Sequence, residues 1–199
     1  MATRTIDRPM VGSNGFTAVE VSRSVERVRG AYAFGLARIS LGFIFLWAFL
    51  DKAFALGFAT GRAEDGTIDF FGEGAAWLNG GSPTEGVLTY ATKGPLAGFF
   101  QSLAGAAWVD WAYMLSMLLI GAALILGVAT RLASIGGAIW MGLFYLATAI
   151  KPEFNPVVEE HIVYILVLVG LAYLGGGRYL GLQERWDRLA IVKRLPVLK

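Results

Sequence analysis

The residues with the clearest chemical potential are a few ionisable side chains near the ends of long apolar stretches. His161 is the only histidine, and it follows Glu159 and Glu160 at the start of the last long apolar stretch. Asp51 and Lys52 lie near the end of the first. An imidazole exchanges protons near neutral pH, and ionisable groups in apolar surroundings are costly unless they are paired or used. We therefore expect His161, Glu160 and Asp51 to form a catalytic, proton-handling cluster.

Structural roles are the alternative for part of this cluster. Asn155 and Pro156 have the types of a helix N-cap and a first helical residue, so acids just after them would lie favourably at the positive end of the helix dipole. This accounts for Glu159 without a function, and Asp110 could play the same part for the helix that it begins. His161 stays open between a proton-exchanging residue and a hydrogen-bonded structural histidine.

A metal site is not predicted. A single imidazole with scattered carboxylates lacks the Glu-x-x-His or His-x-x-x-His spacing of tight transition-metal sites. Adjacent helical residues differ by about 100° around the axis, so Glu159, Glu160 and His161 should not all face the same way. The absence of cysteine excludes disulfides, thiolate ligands, iron–sulfur clusters and a persulfide carried by this chain.

The composition indicates a membrane protein. Hydrophobic residues make up 56% of the 199 residues and charged residues 16%, against about 45 to 50% and about 25% in soluble domains. Four apolar stretches, at about 32–58, 109–128, 132–150 and 157–174, are close to the roughly 20 residues that cross a bilayer as a helix. We predict an all-α integral membrane four-helix bundle at 31–177, with a polar tail at 1–30 and a basic tail at 178–199.

The long segment 59–108 between the first two predicted spans mixes glycines with aromatic residues, Trp77 among them. Behind Pro95, apolar residues recur at helical spacing, which is typical of an amphipathic helix at a bilayer surface: Leu96, Phe99, Phe100, Leu103 and Ala107. Long apolar loops in compact domains usually have a function of their own. We predict that this segment is a cap over the bundle rather than a flexible linker.

The basic residues set the predicted orientation. Arginine and lysine collect in the two tails and in the short loop at Arg131, whereas the segment 59–108 has two basic residues and five acids. By the positive-inside rule, both termini of this multi-pass cell-membrane protein are cytoplasmic and the cap is extracytoplasmic. We expect Arg38 to reach headgroups, Glu184 or Asp187, and Lys52 to pair with an acid at the capped side, Glu160 or Asp110. Nucleic-acid binding is not indicated, since the cations lie at membrane borders.

Five segments together resemble a known family. They are Leu36–Gly42 continuing to Asp51–Lys52, Trp77–Pro83, Gly94–Phe100, Gly127–Arg131 and Asn155–His161. In order and spacing, over roughly residues 30 to 185, they are similar to the DoxX/DoxD family of small four-helix membrane proteins. The resemblance implies a subunit of a membrane oxidoreductase, with thiosulfate:quinone oxidoreductase as the activity of the DoxD branch. Other members are implicated in redox or sulfur-stress complexes with soluble partners.

A quinone head requires a proton-exchanging group beside an apolar cleft, and His161 with Tyr164 fits that need. We expect His161, Tyr164, Lys52 and Trp77 to bind the quinone, next to membrane lipid and a small sulfur-compound substrate. Because no residue of this chain stores electrons, transfer would run directly between bound molecules, or a second subunit or soluble redox protein would carry the redox centre. The alternative is a non-catalytic scaffold or small-solute carrier that docks a soluble redox partner.

Overall fold

The computed structural model describes residues 18–149 and 158–198, and this part of the chain is helical, without a β-strand. Its helices are α1 (Ala18–Phe54), α2 (Ala97–Gln101), α3 (Ala107–Leu126), α4 (Thr130–Phe144), α5 (Glu160–Leu174), α6 (Gln183–Trp186) and α7 (Ala190–Arg194). Two π turns, Val87–Ala91 and Tyr145–Ala149, and two 3-10 turns, Trp77–Asn79 and Pro196–Leu198, complete the regular structure. The prediction of an all-α protein is confirmed.

In the part of the chain that the structure describes, two stretches of helix, Arg29–Phe54 and Ala107–Leu126, are long and apolar enough to cross a membrane. Helix α5 is equally apolar but shorter, and α4 passes into the π turn Tyr145–Ala149. Helix α1 begins at Ala18, within the predicted polar tail, and ends at Phe54, before the predicted limit of 58. The predicted turn and helix start at 150–157 lie outside the described residues.

The long helices pack side by side. Helix α3 contacts α1 and α4, and α5 contacts α4 and α1. Helices α1 and α3 approach closely at Gly121, where an added Cβ would lie 2.5 Å from the backbone nitrogen of Leu46. A side chain at Gly121 would therefore push the two helices apart. The core between the helices includes fully buried Phe45, Met114, Met117, Leu124, Leu168 and Leu171.

The segment 55–106 is a folded cap. Its backbone hydrogen-bonds to helix ends: the Phe71 N–H donates to the Phe54 carbonyl at 2.8 Å, and the Lys93 N–H donates to the Ala147 carbonyl at 2.8 Å. The predicted amphipathic helix is largely wrong, since α2 covers only Ala97–Gln101 and turns follow it. Gly105 adopts a positive φ of 74°, which interrupts the helical pattern before Ala107.

At the opposite end of the bundle, Arg38 of α1 is fully buried. The Arg38 guanidinium donates from Nη1 to the carbonyls of Leu124 and of Ile125, the latter at 3.2 Å. From Nη2 it donates to the carbonyls of Tyr179 at 3.2 Å and Leu180 at 2.9 Å. Arg38 thus joins the end of α3 to the segment that follows α5.

The predicted headgroup or acidic partner of Arg38 is therefore wrong. The last carbonyls of a helix lack intrahelical donors and carry the negative end of its dipole, so they can replace a carboxylate as the partner of a buried cation. Glycine makes room for the guanidinium, because a Cβ on Gly127 would lie 2.6 Å from Arg38 Nη1. The segment 175–198 is fixed here, with the Leu182 N–H donating to the Leu126 carbonyl at 2.9 Å.

Candidate functional site

Glu159 and His161 form a hydrogen-bonded pair at the start of α5. Glu159 is the N-cap, in an extended conformation with φ −136° and ψ 171°, and its Oε2 accepts the His161 N–H at 3.0 Å. The same carboxylate lies 2.7 Å from Nδ1 of the imidazole. Helix α5 therefore begins at Glu160 and is capped by Glu159, whereas the predicted N-cap Asn155 and first helical residue Pro156 lie outside the described residues.

This pairing defines the chemistry of the imidazole. An ionised carboxylate only accepts hydrogen bonds, so Nδ1 is the donor in a pair with ionised Glu159, and Nε2 is the ring nitrogen outside this pair. The two side chains are partly accessible, at 19% for His161 and 22% for Glu159. The arrangement is that of a general base or acid whose orientation is set by a neighbouring group.

Aromatic rings lie beside the histidine. The Phe144 ring centroid is 6.0 Å from the imidazole, with 31° between the two planes. Phe144 also contacts Trp140 and Tyr113, with centroids 6.1 Å from it in each case. These three rings, which we call the aromatic wall, were not predicted as site residues. The available signal was the four-residue spacing of Trp140 and Phe144, which puts both on one face of a helix.

Lys52 reaches the same wall from α1. It lines a cavity of about 70 Å³ together with the three rings of the aromatic wall and loop residues of the cap. Among residues 18–149 and 158–198, no carboxylate forms an ion pair with Lys52. The predicted pairing with Glu160 or Asp110 is therefore not found in this part of the chain. The neighbouring Asp51 interacts electrostatically with both Lys52 and Tyr113.

The acid at the end of α1 holds the cap. Asp51 is 2% exposed, and its two oxygens accept the N–H groups of Phe58 at 3.0 Å and Ala59 at 2.8 Å. These bonds fix the reversal of the chain that follows α1. Because both oxygens are occupied by backbone donors, we leave Asp51 out of the candidate proton-handling site.

Asp110 plays a matching part in the first turn of α3. Its Oδ1 accepts from the hydroxyl of Ser82 at 3.0 Å and from both the N–H and the hydroxyl of Thr84, at 3.1 and 2.6 Å. The structural role predicted for Asp110 near a helix start is observed, but its partners are cap residues rather than the first-turn N–H groups.

Among the described residues, no hydrogen bond or ring contact joins Trp77 or Tyr164 to the Glu159–His161 pair. The Trp77 ring is 4.7 Å from that of Trp111, and the two line a separate cavity of about 420 Å³ with Asp110. Tyr164, one helical turn after His161, is partly buried against the hydrophobic core. The structure thus brings His161 and Lys52 to the aromatic wall, and it places Trp77 elsewhere on the cap.

Glu159, Glu160 and His161 lie closer together than helical geometry predicted. Each offers a ligand atom, and these atoms all lie within 4.8 Å of one another. The expectation that the three would not all face the same way does not hold for these ligand atoms, because Glu159 is an N-cap whose carboxylate hydrogen-bonds to His161. Glu160 is exposed. A two-carboxylate, one-imidazole set of this kind is chemically able to bind a divalent cation weakly.

Comparison of the chain with protein-family models, with characterised proteins and with solved structures gives no match. The resemblance to the DoxX/DoxD family accordingly stays a prediction from the sequence segments that carry it.

Proposed function

We propose that this chain is an integral membrane four-helix bundle built from α1, α3, α4 and α5, with the cap extracytoplasmic and both termini cytoplasmic. The two span-length helices support it, as do large apolar side chains exposed on each helix. Water-facing domains of this size rarely expose so many. Examples are Phe43 and Ile44 on α1, Leu115 and Leu119 on α3, Ile135 and Ile139 on α4, and Val163 and Leu166 on α5.

Within that membrane domain, we propose that the chain is a quinone-reactive oxidoreductase subunit. The observation that carries this proposal is the Glu159–His161 pair. The His161 Nδ1 lies 2.7 Å from the Glu159 carboxylate, and the centroid of the imidazole lies 6.0 Å from that of the Phe144 ring. A quinone takes up or releases electrons together with protons. His161 Nε2 would exchange one proton with a carbonyl oxygen of the head, and the aromatic wall would bind its ring.

The head would lie against Phe144 on the histidine side. The Lys52 cavity, at about 70 Å³, is well below the roughly 300 Å³ at the lower end of ordinary ligand pockets. It suits a small ion, and the Lys52 ammonium lacks a carboxylate ion pair among the described residues. We propose this cavity for thiosulfate or a related small sulfur anion. One thiosulfate in the cavity would couple with a second that arrives from water to give tetrathionate, and the two electrons released would reduce one quinone, which takes one proton from His161 and the other from water.

The alternative is a membrane scaffold or small-solute carrier, and one observation favours a docking role. The folded segment 175–198 exposes five basic residues at one end of the bundle: Arg178, Arg185, Arg188, Lys193 and Arg194. Among the described residues, none of the five forms an ion pair. Such a surface suits an acidic soluble redox protein, and long-range attraction would speed its association.

Purified full-length protein in lipid nanodiscs tests the two functions. We expect decylubiquinone to bind the wild type, and H161Q to bind it roughly tenfold more weakly, as loss of one hydrogen bond to a charged or polar ligand implies. L166A, an exposed residue of the same helix, is the control and should bind like the wild type. Equal binding by H161Q would exclude this site. Turnover seen only with a co-purified soluble redox enzyme would favour the scaffold.

A further inference from the structure

A groove between α4 and α5, at the end of the bundle away from the cap, combines a charged mouth with an apolar floor. It has a volume of about 330 Å³. Arg131, in the first turn of α4, and Tyr173, near the end of α5, line one part of it. Ile135, Ile139 and Val169 line the rest. We propose that this groove binds one anionic phospholipid of the cytoplasmic leaflet.

The charge at the mouth argues for an anion. Arg131 is exposed, no carboxylate lines the groove, and within 18–149 and 158–198 no acid pairs with Arg131. The N-terminus of α4 adds to this, since its N-cap Ala129 supplies no side-chain acceptor for the first-turn N–H groups. A phosphate at this point would meet a guanidinium and the positive end of a helix of 15 residues.

A second observation, independent of charge, comes from Ser134. Its side chain is fully buried, it lines the groove, and its hydroxyl has no hydrogen-bond partner among the described residues. A buried hydroxyl without a partner is costly, so an acceptor is expected to reach it. Ser134 lies one helical turn further into the bundle than Arg131, where the ester carbonyls of a lipid follow its phosphate.

The apolar part of the groove fits an acyl chain. From Arg131 to Ile139 the helix advances roughly 12 Å along its axis. Along this path the small residues Ala138 and Ala172 and the isoleucines of α4 line the groove. A free phosphate ion would use only the mouth, whereas a phospholipid would use the whole groove. Tyr173, which is 84% exposed, is of the type that is common at membrane interfaces.

Native mass spectrometry of the detergent-purified full chain, with phosphatidylglycerol or phosphatidylcholine of identical acyl chains, tests this site. We expect the wild type to retain one phosphatidylglycerol. R131Q should bind this lipid about fivefold more weakly, because one basic residue near an anionic surface contributes about that much to affinity. S134A, which keeps the backbone and nearly the volume, should also weaken retention. R185Q, an exposed arginine of α6 outside the groove, should not.

Equal retention of the two lipids, wild-type retention by both R131Q and S134A, or full displacement by inorganic phosphate would each overturn the proposal. The inference rests on the membrane placement proposed above but not on the quinone. Loss of the lipid site with intact decylubiquinone binding would therefore overturn the groove alone, and R131Q should leave decylubiquinone binding unchanged.

Discussion

The Nδ1 atom of His161 lies 2.7 Å from the carboxylate oxygens of Glu159, and the backbone N–H of the same histidine donates to that carboxylate at 3.0 Å. One acid thus caps the start of α5 and orients the imidazole of His161. The two roles are separable by substitution, because a neutral amide can still accept the backbone N–H but no longer carries the charge that stabilises a protonated ring.

Glu159→Gln should therefore lower quinone-dependent turnover by about tenfold, and His161→Gln by about a hundredfold, the lower range for losing a general acid or base. Glu159→Ala should additionally lower the free energy of unfolding by about 1 kcal/mol through loss of the N-cap. Steady-state assays in nanodiscs and thermal unfolding of the same preparations check both effects. If Glu159→Gln and the wild type turn over equally, the carboxylate does not act on the imidazole.

Asp51 is predicted to act on stability and not on chemistry. Asp51→Ala removes the acceptors of the Phe58 and Ala59 N–H groups, which are partly accessible to water, so we expect a loss of about 1 to 3 kcal/mol in the free energy of unfolding. Asp51→Asn, which keeps one acceptor, should lose less. Limited proteolysis within 55–106 should increase in the same order, while decylubiquinone affinity stays within about twofold of wild type. A large loss of decylubiquinone affinity in a variant that stays folded would show that Asp51 takes part in quinone binding.

The stability of the bundle is predicted to depend on the guanidinium of Arg38, which a lysine ammonium cannot replace. Four backbone carbonyls surround the planar fork, and a lysine ammonium can reach at most three in a different geometry. We expect Arg38→Lys to lower the free energy of unfolding by about 2 kcal/mol, measured by thermal denaturation in detergent. Gly127→Ala should also destabilise, since its φ is +68° and its Cβ would meet Arg38. Wild-type stability in both variants would contradict a stabilising role for the four carbonyls that accept from Arg38.

In the cap, the Thr67 hydroxyl and N–H donate to Asp65, and these bonds hold the pKa of the Asp65 carboxyl below its ordinary value. Any stabilisation of the turn is present above the unfolded pKa of Asp65 and is lost as the pH falls through the lower folded pKa. Thr67→Val should move the pKa upward, towards the ordinary value. NMR titration of the Asp65 side chain measures it, and an unchanged pKa in the variant would contradict the hydroxyl contribution.

The cluster of Glu159, Glu160 and His161 is not assigned to a metal. One imidazole that is already bonded to a carboxylate is a weak donor set, and we predict that chelation with EDTA leaves decylubiquinone binding unchanged. Added Zn²⁺ should inhibit only at high concentration, by competing for the imidazole. Loss of binding after chelation, restored by a stoichiometric divalent ion, would show a metal centre here.

The sequence predicted helices well where the apolar periodicity was long. The all-α class and the second apolar stretch, close to α3, followed from composition and length alone. The sequence did not indicate that the amphipathic helix after Pro95 would be as short as α2. Its apolar spacing continues to Ala107, although Gly105, between α2 and Ala107, has a positive φ. The spacing of apolar residues does not predict such a turn, because the turn depends on how the cap packs.

The site was partly predictable for a similar reason. His161 is conspicuous as the only histidine, but its partner was identified only from the structure, since the N-cap is Glu159. Asp51 was grouped with it by depth, whereas tertiary contacts gave both of its oxygens to the cap. The aromatic wall joins α3 and α4, and contacts between separate helices leave no trace in either helix alone.

Photo-crosslinking with an azido-quinone in nanodiscs, followed by peptide mapping, tests most directly whether a quinone head binds between His161 and the aromatic wall. We predict adducts within residues 140–149 and 158–168, suppressed by excess decylubiquinone and reduced in H161Q. Adducts confined to other parts of the chain, or labelling that neither the competitor nor H161Q changes, would contradict the proposed site.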